Sequence, residues 1–263
     1  MKILTFILTI MALITFNPTP TLSQVQKTEY ICPPCGSAEC DNLIFEKPGT
    51  CPNCQMTLIE KSKIKNVAIF IHDGVEVLDF TGPGEVFAAS HSEEGAFNVY
   101  TVALNTDPII SQGFIKIIPE YSIENAPTPD IVVFAGGNTG AVRENKDLIR
   151  WIRKIAPELD VVLSVCTGAF ILQRTGLLDG LKATTWHGAI DQLRESAPQT
   201  EVLENVRWVD NGKVITTAGI SAGIDGALHV VERLLGAETA QQTARYMEYD
   251  KWKPGEGIIA AKN

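Results

Sequence analysis

The chain has 263 residues and a formal net charge of −9, from 22 Lys+Arg against 31 Asp+Glu. That balance argues against nucleic acid as a partner, because a phosphate-backbone binder presents a basic face. With 45% hydrophobic and 20% charged residues, the chain reads as packed and globular, not as disordered, collagenous or coiled-coil.

Met1-Lys2 is a short basic start, and Ile3 to Phe16 is an apolar run closed by Asn17-Pro18-Thr19-Pro20. A spanning helix needs about 20 apolar residues, so the run fits the core of a secretory signal peptide instead. The expected signal is residues 1–23, cut after Ser23, with an uncleaved anchor as the alternative. The mature chain is then exported, periplasmic or extracellular, with no stable membrane span.

Five of the six cysteines lie between Cys32 and Cys54, in a module expected over 30–61. Cys32-Pro33-Pro34-Cys35 and Cys51-Pro52-Asn53-Cys54 are two C-x2-C knuckles separated by fifteen residues. Two such knuckles present four sulfurs tetrahedrally, which suits one zinc on Cys32, Cys35, Cys51 and Cys54. The alternative is a disulfide-stapled knot, since an exported chain meets an oxidising compartment. Cys40 makes the count odd, and the knuckle spacing favours metal. The segment from Lys47 to Met56 also resembles small heavy-metal-binding modules.

From Ile64 the chain alternates strands with helices. Val67–Ile71, Ile131–Phe134 and Val161–Val165 are apolar on both faces, as central strands of a parallel sheet are. Helices are expected to open at Gly82-Pro83-Gly84-Glu85, and to run over Lys146–Ala156, Gly188–Ser196 and Ala222–Leu235. Hairpins are expected around Gln112-Gly113 and Asn211-Gly212. The fold class is α/β: a doubly wound, mostly parallel sheet with helices on both faces over 64–253, preceded by the small cysteine-rich module. Ligands of such sheets bind at the carboxyl ends of the strands.

Three loops carry the chemistry. In Ser164-Val165-Cys166-Thr167-Gly168-Ala169 a buried strand runs straight into a helix through a cysteine, the shape of a nucleophile elbow. The helix end is expected to lower the Cys166 pKa, and the Thr167 N–H points where an oxyanion forms. An inert buried thiol is the alternative. Ala135-Gly136-Gly137 follows a central strand, and the Gly137 N–H is the candidate second oxyanion donor. The loop matches neither G-x-G-x-x-G nor a P-loop, which disfavours nucleotide. Asp79, between Leu78 and Phe80, is a carboxyl in apolar surroundings that keeps its proton more readily. A helix cap ahead of Pro83 is its alternative role.

Together with Gly176 to Thr185 and Thr217 to Asp225, these loops resemble the ThiJ/PfpI superfamily, also called class I glutamine-amidotransferase-like, in its isonitrile-hydratase branch. The resemblance implies Cys166 as nucleophile, Asp79 as its acidic partner, Thr167 as an assisting residue, no metal in this site, and a homodimer. Many relatives follow the Thr-Thr pair directly with His. Here Trp186 intervenes, so His187 is a general acid/base candidate against a favoured capping or packing role. His229 reads as a satisfied structural histidine. The expected function is a cysteine-dependent enzyme adding water to an electrophilic carbon of a small-molecule substrate, with no cofactor in the catalytic domain. The alternative is a non-enzymatic redox- or metal-sensing module.

Overall fold

A computed structural model describes residues 27–34, 37–41 and 43–261, so the expected signal peptide and Cys35 lie outside the described residues. In chain order, the main domain runs β1 (Ile64–Phe70), α1 (Val77–Ala89), β2 (Gly95–Ala103), β3 (Ile131–Phe134), α2 (Lys146–Ile155), β4 (Val161–Ser164) and α3 (Ala169–Thr175). It continues through α4 (Ile190–Ser196), β5 (Trp208–Asp210), β6 (Val214–Thr217), α5 (Ala222–Leu235), α6 (Ala237–Tyr246) and β7 (Ile258–Ile259). The sheet order is β7-β5-β6-β4-β3-β1-β2, extended at the far edge by His91–Ser92. Strands β2, β1, β3, β4 and β6 are mutually parallel, and β5 returns antiparallel to β6.

The continuous apolar runs are divided between two faces, as alternation along a strand requires. Val67, Ile69, Val133 and Leu163 pack with residues of α1, α5 and α6. Ala68, Phe70, Val132 and Val162 pack with residues of α2, α3 and α4. Fully buried strands therefore need no polar positions, which is why β3 and β4 read as unbroken hydrophobic runs.

The chain leaves β1 toward β2 on one side, then returns to place β3 on the other. This is the topological switch point of a doubly wound sheet. In the register there, Phe70 pairs with Phe134, Phe134 with Ser164, and Ser164 with Thr216. Four strands thus end level, and the loops that follow them converge.

Two expectations are corrected. Helix α1 begins at Val77 and contains Pro83, rather than opening at the proline. Pro83 lies past the first turn, where it removes one i→i−4 donor and crowds the carbonyl of the turn before it, yet the helix continues through it; the turn before the helix is fixed by Gly74 N–H on the Ile110 carbonyl (2.7 Å). The β5–β6 hairpin turns on Gly212-Lys213, because Asn211 N–H still bonds the Val214 carbonyl at 2.9 Å. Gly212 takes the positive φ of +90° at the first central position. The hairpin around Gln112-Gly113 forms from Ile109–Ser111 and Ile115–Ile117.

The cysteine-rich module is a small antiparallel sheet of Tyr30–Ile31, Ile44–Phe45 and Ile59–Glu60 with one helical turn at Ala38–Asp41. Its buried cluster is Cys32, Cys40, Cys51 and Leu58. No helix among the described residues is long and apolar enough to cross a membrane.

Candidate active site

Strand β4 hands over to α3 through Val165, in extended conformation, and Cys166, whose φ is +58°. A non-glycine residue at positive φ costs energy and persists only where its surroundings hold it. Here Val165 N–H bonds the Phe134 carbonyl (3.0 Å) and Cys166 N–H bonds the Ala218 carbonyl (3.1 Å). The Thr185 hydroxyl donates to the Cys166 carbonyl at 2.7 Å. Gly168 is obligatory in this turn, since a Cβ there would lie 2.0 Å from the Phe134 carbonyl oxygen. The elbow is thus clamped by the loops after β3 and β6 as well as by its own strand.

Asp79 is the third residue of α1 and fully buried. Its carboxylate accepts Gly136 N–H at 3.0 Å on Oδ2 and Ile220 N–H at 3.1 Å on Oδ1. Capping is therefore not its role: both partners belong to other loops, and the carboxyl is completely buried. Burial pushes its pKa up to about 7, opposed by the Gly136 N–H and reinforced by Glu76. It also shares a hydrogen bond with the Cys166 thiol.

The Cys166 thiol is pushed up to about 12, first by burial and then by the negative charge of Asp79. This corrects the expectation of a lowered thiol pKa. The neighbouring Thr167 N–H and hydroxyl oppose the rise but do not overcome it. A short helix entered through a 3₁₀ turn supplies too little field against a buried, carboxylate-facing sulfur. Near neutral pH the thiol therefore keeps its proton while the carboxyl beside it is partly ionised and free to exchange one.

Gly137 N–H is bonded to the Thr167 hydroxyl at 3.0 Å, and that hydroxyl donates back to the Gly137 carbonyl at 3.0 Å. The donor expected to face an oxyanion is thus engaged in locking two loops together. Gly136 allows the approach, because a Cβ there would meet Thr167 N at 2.7 Å and Asp79 Oδ2 at 2.8 Å. His187 is exposed, its ring 5.0 Å from that of Trp186, while the sulfur's partners are Asp79 and Thr167. His187 lines, with Thr185, Trp186, Arg207 and Ile220, a cleft of about 680 Å³. Thr185, Ala218 and Ile220 belong both to this cleft and to the frame around the Cys166–Asp79 pair.

Two contributors escaped the sequence: Ile220, at φ +55° and presenting its N–H to Asp79, and Thr185, bracing the Cys166 carbonyl. Ile220 lies in the loop after β6, which ends level with β4, whereas Thr185 follows Lys182–Ala183, a strand of a separate two-stranded sheet. His229, expected to be structural, is buried, places Nε2 at 2.8 Å from Asp210 and stacks on Trp208 at 3.8 Å. In the N-terminal module the sulfurs of Cys32, Cys40, Cys51 and Cys54 lie within 4.8 Å of one another. Three expected ligands are there together, and Cys40 stands with them.

Comparison with known proteins agrees with this architecture. Isonitrile hydratase of Pseudomonas putida is 33% identical over 184 residues, 70% of this chain and 78% of that protein. The HTH-type transcriptional regulator CdhR of Pseudomonas aeruginosa is 25% identical over 69% of this chain and 54% of its own length. A crystal structure of a ThiJ/PfpI family protein from Pseudomonas syringae superposes with a TM-score of 0.64 at 27% identity, over 72% of this chain and 77% of that one. The family model of DJ-1/PfpI matches residues 65–233, spanning every loop of the site. With both strand order and elbow in place, the chain belongs to the DJ-1/PfpI family.

Proposed function

We propose that the chain is a cysteine-dependent enzyme that adds water to an electrophilic carbon of a small molecule, with isonitriles as the leading substrate class. The observation that carries this reading is the Cys166–Asp79 pair: a strained, buried thiol bonded to a carboxyl whose pKa lies at about 7. A proton-transfer group works best when its pKa lies near the working pH. The 33% identity to isonitrile hydratase supports the same chemistry.

In this mechanism the Cys166 sulfur attacks the terminal carbon of R–N≡C, and its proton passes through Asp79 to that carbon. The product is a thioimidate, R–N=CH–S–Cys166. Water then adds to the thioimidate carbon, one proton goes to nitrogen, and the C–S bond breaks. The products are the formamide R–NH–CHO and the regenerated thiol, so all atoms balance without a cofactor. Thr167 N–H, close to the sulfur, holds negative charge there while the proton is in transit. The first addition develops charge on carbon, where a proton donor serves better than an oxyanion hole. The engagement of Gly137 N–H by Thr167 therefore favours isonitrile addition over acyl transfer. His187 contributes to the cleft wall and takes no step.

The net charge of −9 supports a small-molecule substrate and not a nucleic acid. An exported homodimer goes with this reading, to be measured by cell fractionation and light scattering. The decisive experiment is a screen of alkyl and aryl isonitriles, glyoxals and peptides, with product detection by NMR. Formamide production that disappears in Cys166→Ala is expected. An unchanged rate in that variant, or no turnover of any isonitrile, overturns the proposal.

A further inference from the structure

We propose that Cys32, Cys40, Cys51 and Cys54 form a closed tetrathiolate site for one soft divalent cation, zinc foremost. Cys40 supplies the ligand that knuckle spacing alone assigns to Cys35.

All four sulfurs lie within 4.8 Å of one another. Cys32 and Cys54 approach to 3.4 Å and Cys51 and Cys40 to 3.8 Å. A tetrahedron with Zn–S bonds of about 2.3 Å has edges of about 3.8 Å, whereas a disulfide is about 2.05 Å. The separations therefore match sulfurs sharing one centre.

Three of the four ligands sit on hydrogen-bonded turns. Cys40 sits in the helical turn Ala38–Asp41, with its N–H on the Ser37 carbonyl at 2.9 Å. Cys51 and Cys54 form a tight knuckle: Gln55 N–H closes onto the Cys51 carbonyl at 2.9 Å, and Gln55 takes φ +65°. The backbone N–H groups of Asn53 and Cys54 point at the Cys51 sulfur. Donors of that kind stabilise a metal-bound thiolate.

The module has little else to hold it. Among the described residues, its buried cluster holds Leu58 besides three cysteines, with Tyr30, Phe45 and Met56 packed against it, and Pro33 and Ile59 are the other buried side chains. Domains below about 40 residues usually need a metal, disulfides or a partner. Four thiolates select a soft cation, and four-coordination without an open position makes the site structural. On binding, each thiol releases its proton to solvent, so retention weakens in acid.

The test uses the full mature chain purified without chelator. Native mass spectrometry should show one zinc per chain, and X-ray absorption should show four sulfurs at about 2.3 Å. Alkylation of the metal-loaded protein followed by peptide mapping should modify Cys35 and protect Cys40. Cobalt substitution should give a tetrahedral four-thiolate spectrum that survives Cys35→Ser and is lost in Cys40→Ser. Circular dichroism and Cys166 labelling of both variants check that the main domain stays folded. Protection of Cys35 with modification of Cys40, metal retention in Cys40→Ser, or disulfides in place of metal would each overturn the proposal.

Discussion

At the scale of single residues, the Cys166–Asp79 pair makes the sharpest commitments. Asp79→Asn removes the charge that raises the thiol pKa, so the alkaline midpoint of iodoacetamide labelling at Cys166 should fall below that of the wild type. Its turnover should nevertheless drop by about 10²–10⁴, the usual worth of general acid–base help. An unchanged labelling midpoint would mean that the carboxylate does not face the sulfur electrostatically. The same carboxyl has a linkage consequence. Its folded pKa, about 7, lies above the unfolded value near ~3.9, so its contribution is fully present below that unfolded value and is lost as pH rises through 7. The melting temperature of the wild type should fall over that interval more steeply than that of Asp79→Asn. Gly168→Ala probes the elbow from another side. Its Cβ would sit 2.0 Å from a backbone oxygen that cannot swing away. A loss of more than about 3 kcal/mol in denaturant unfolding is expected, in the range of severe core strain. Cys166 and Asp79 were legible because a buried strand running into Cys-Thr-Gly and a carboxyl between Leu78 and Phe80 are unusual locally. The thiol's raised pKa was not, since it depends on how two loops distant in sequence bury the sulfur against a charge.

At the scale of elements, legibility follows burial. Strands β3 and β4 are apolar on both faces and could be read directly. Strand β2 was missed because Asn98, Tyr100 and Thr101 interrupt its pattern, although it lies against β1 for seven paired residues. Helix α6 was missed for a related reason: its buried face is made of Thr239, Ala240, Thr243 and Ala244, which carry little hydrophobic signal. Helix α1 was misplaced by taking Pro83 as a start signal. The β5–β6 hairpin carries a testable anchor. Asp210 at the end of β5 faces His229 Nε2 at 2.8 Å, Arg233 Nη1 at 3.0 Å and the Gly212 N–H, tying the hairpin to α5. Burial raises its carboxyl, yet His229, the Gly212 N–H and Arg233 together hold it below the ordinary range. A depressed folded pKa contributes stability above the unfolded value, lost as pH falls through the folded one. Asp210→Asn should cost about 2 kcal/mol at neutral pH, typical of hydrogen bonds to a charged group. The difference from wild type should vanish in strong acid, where both side chains are neutral. A constant difference across the acid range would show that packing on Trp208, not charge, sets the cost.

At the scale of the whole molecule, two bodies of different physics share one chain. The main domain is held by a sheet with apolar layers on both faces. The N-terminal module is a separate cluster built around thiols, and it meets the sheet edge through Ile59–Glu60 beside β2. The family match begins at residue 65, where that module has just ended. This separation was visible in the sequence through cysteine placement, but the identity of the fourth clustered sulfur was not, because spacing cannot report which turn folds back. If the cores are independent, a chain of residues 64–261 should fold alone. All buried residues of the two main clusters lie within it, as do Cys166, Asp79 and every hydrogen bond between them and the flanking loops. The truncated chain should unfold in one cooperative transition, with a melting temperature within about 8 °C of the full chain, the shift that roughly 1–2 kcal/mol of lost edge contact gives in a domain of this size. Chelator treatment should lower the stability of the full chain's module without moving the main transition. A truncated chain that aggregates, or that loses selective labelling of Cys166, would show that the module completes the fold of the main domain and is not an independent appendage.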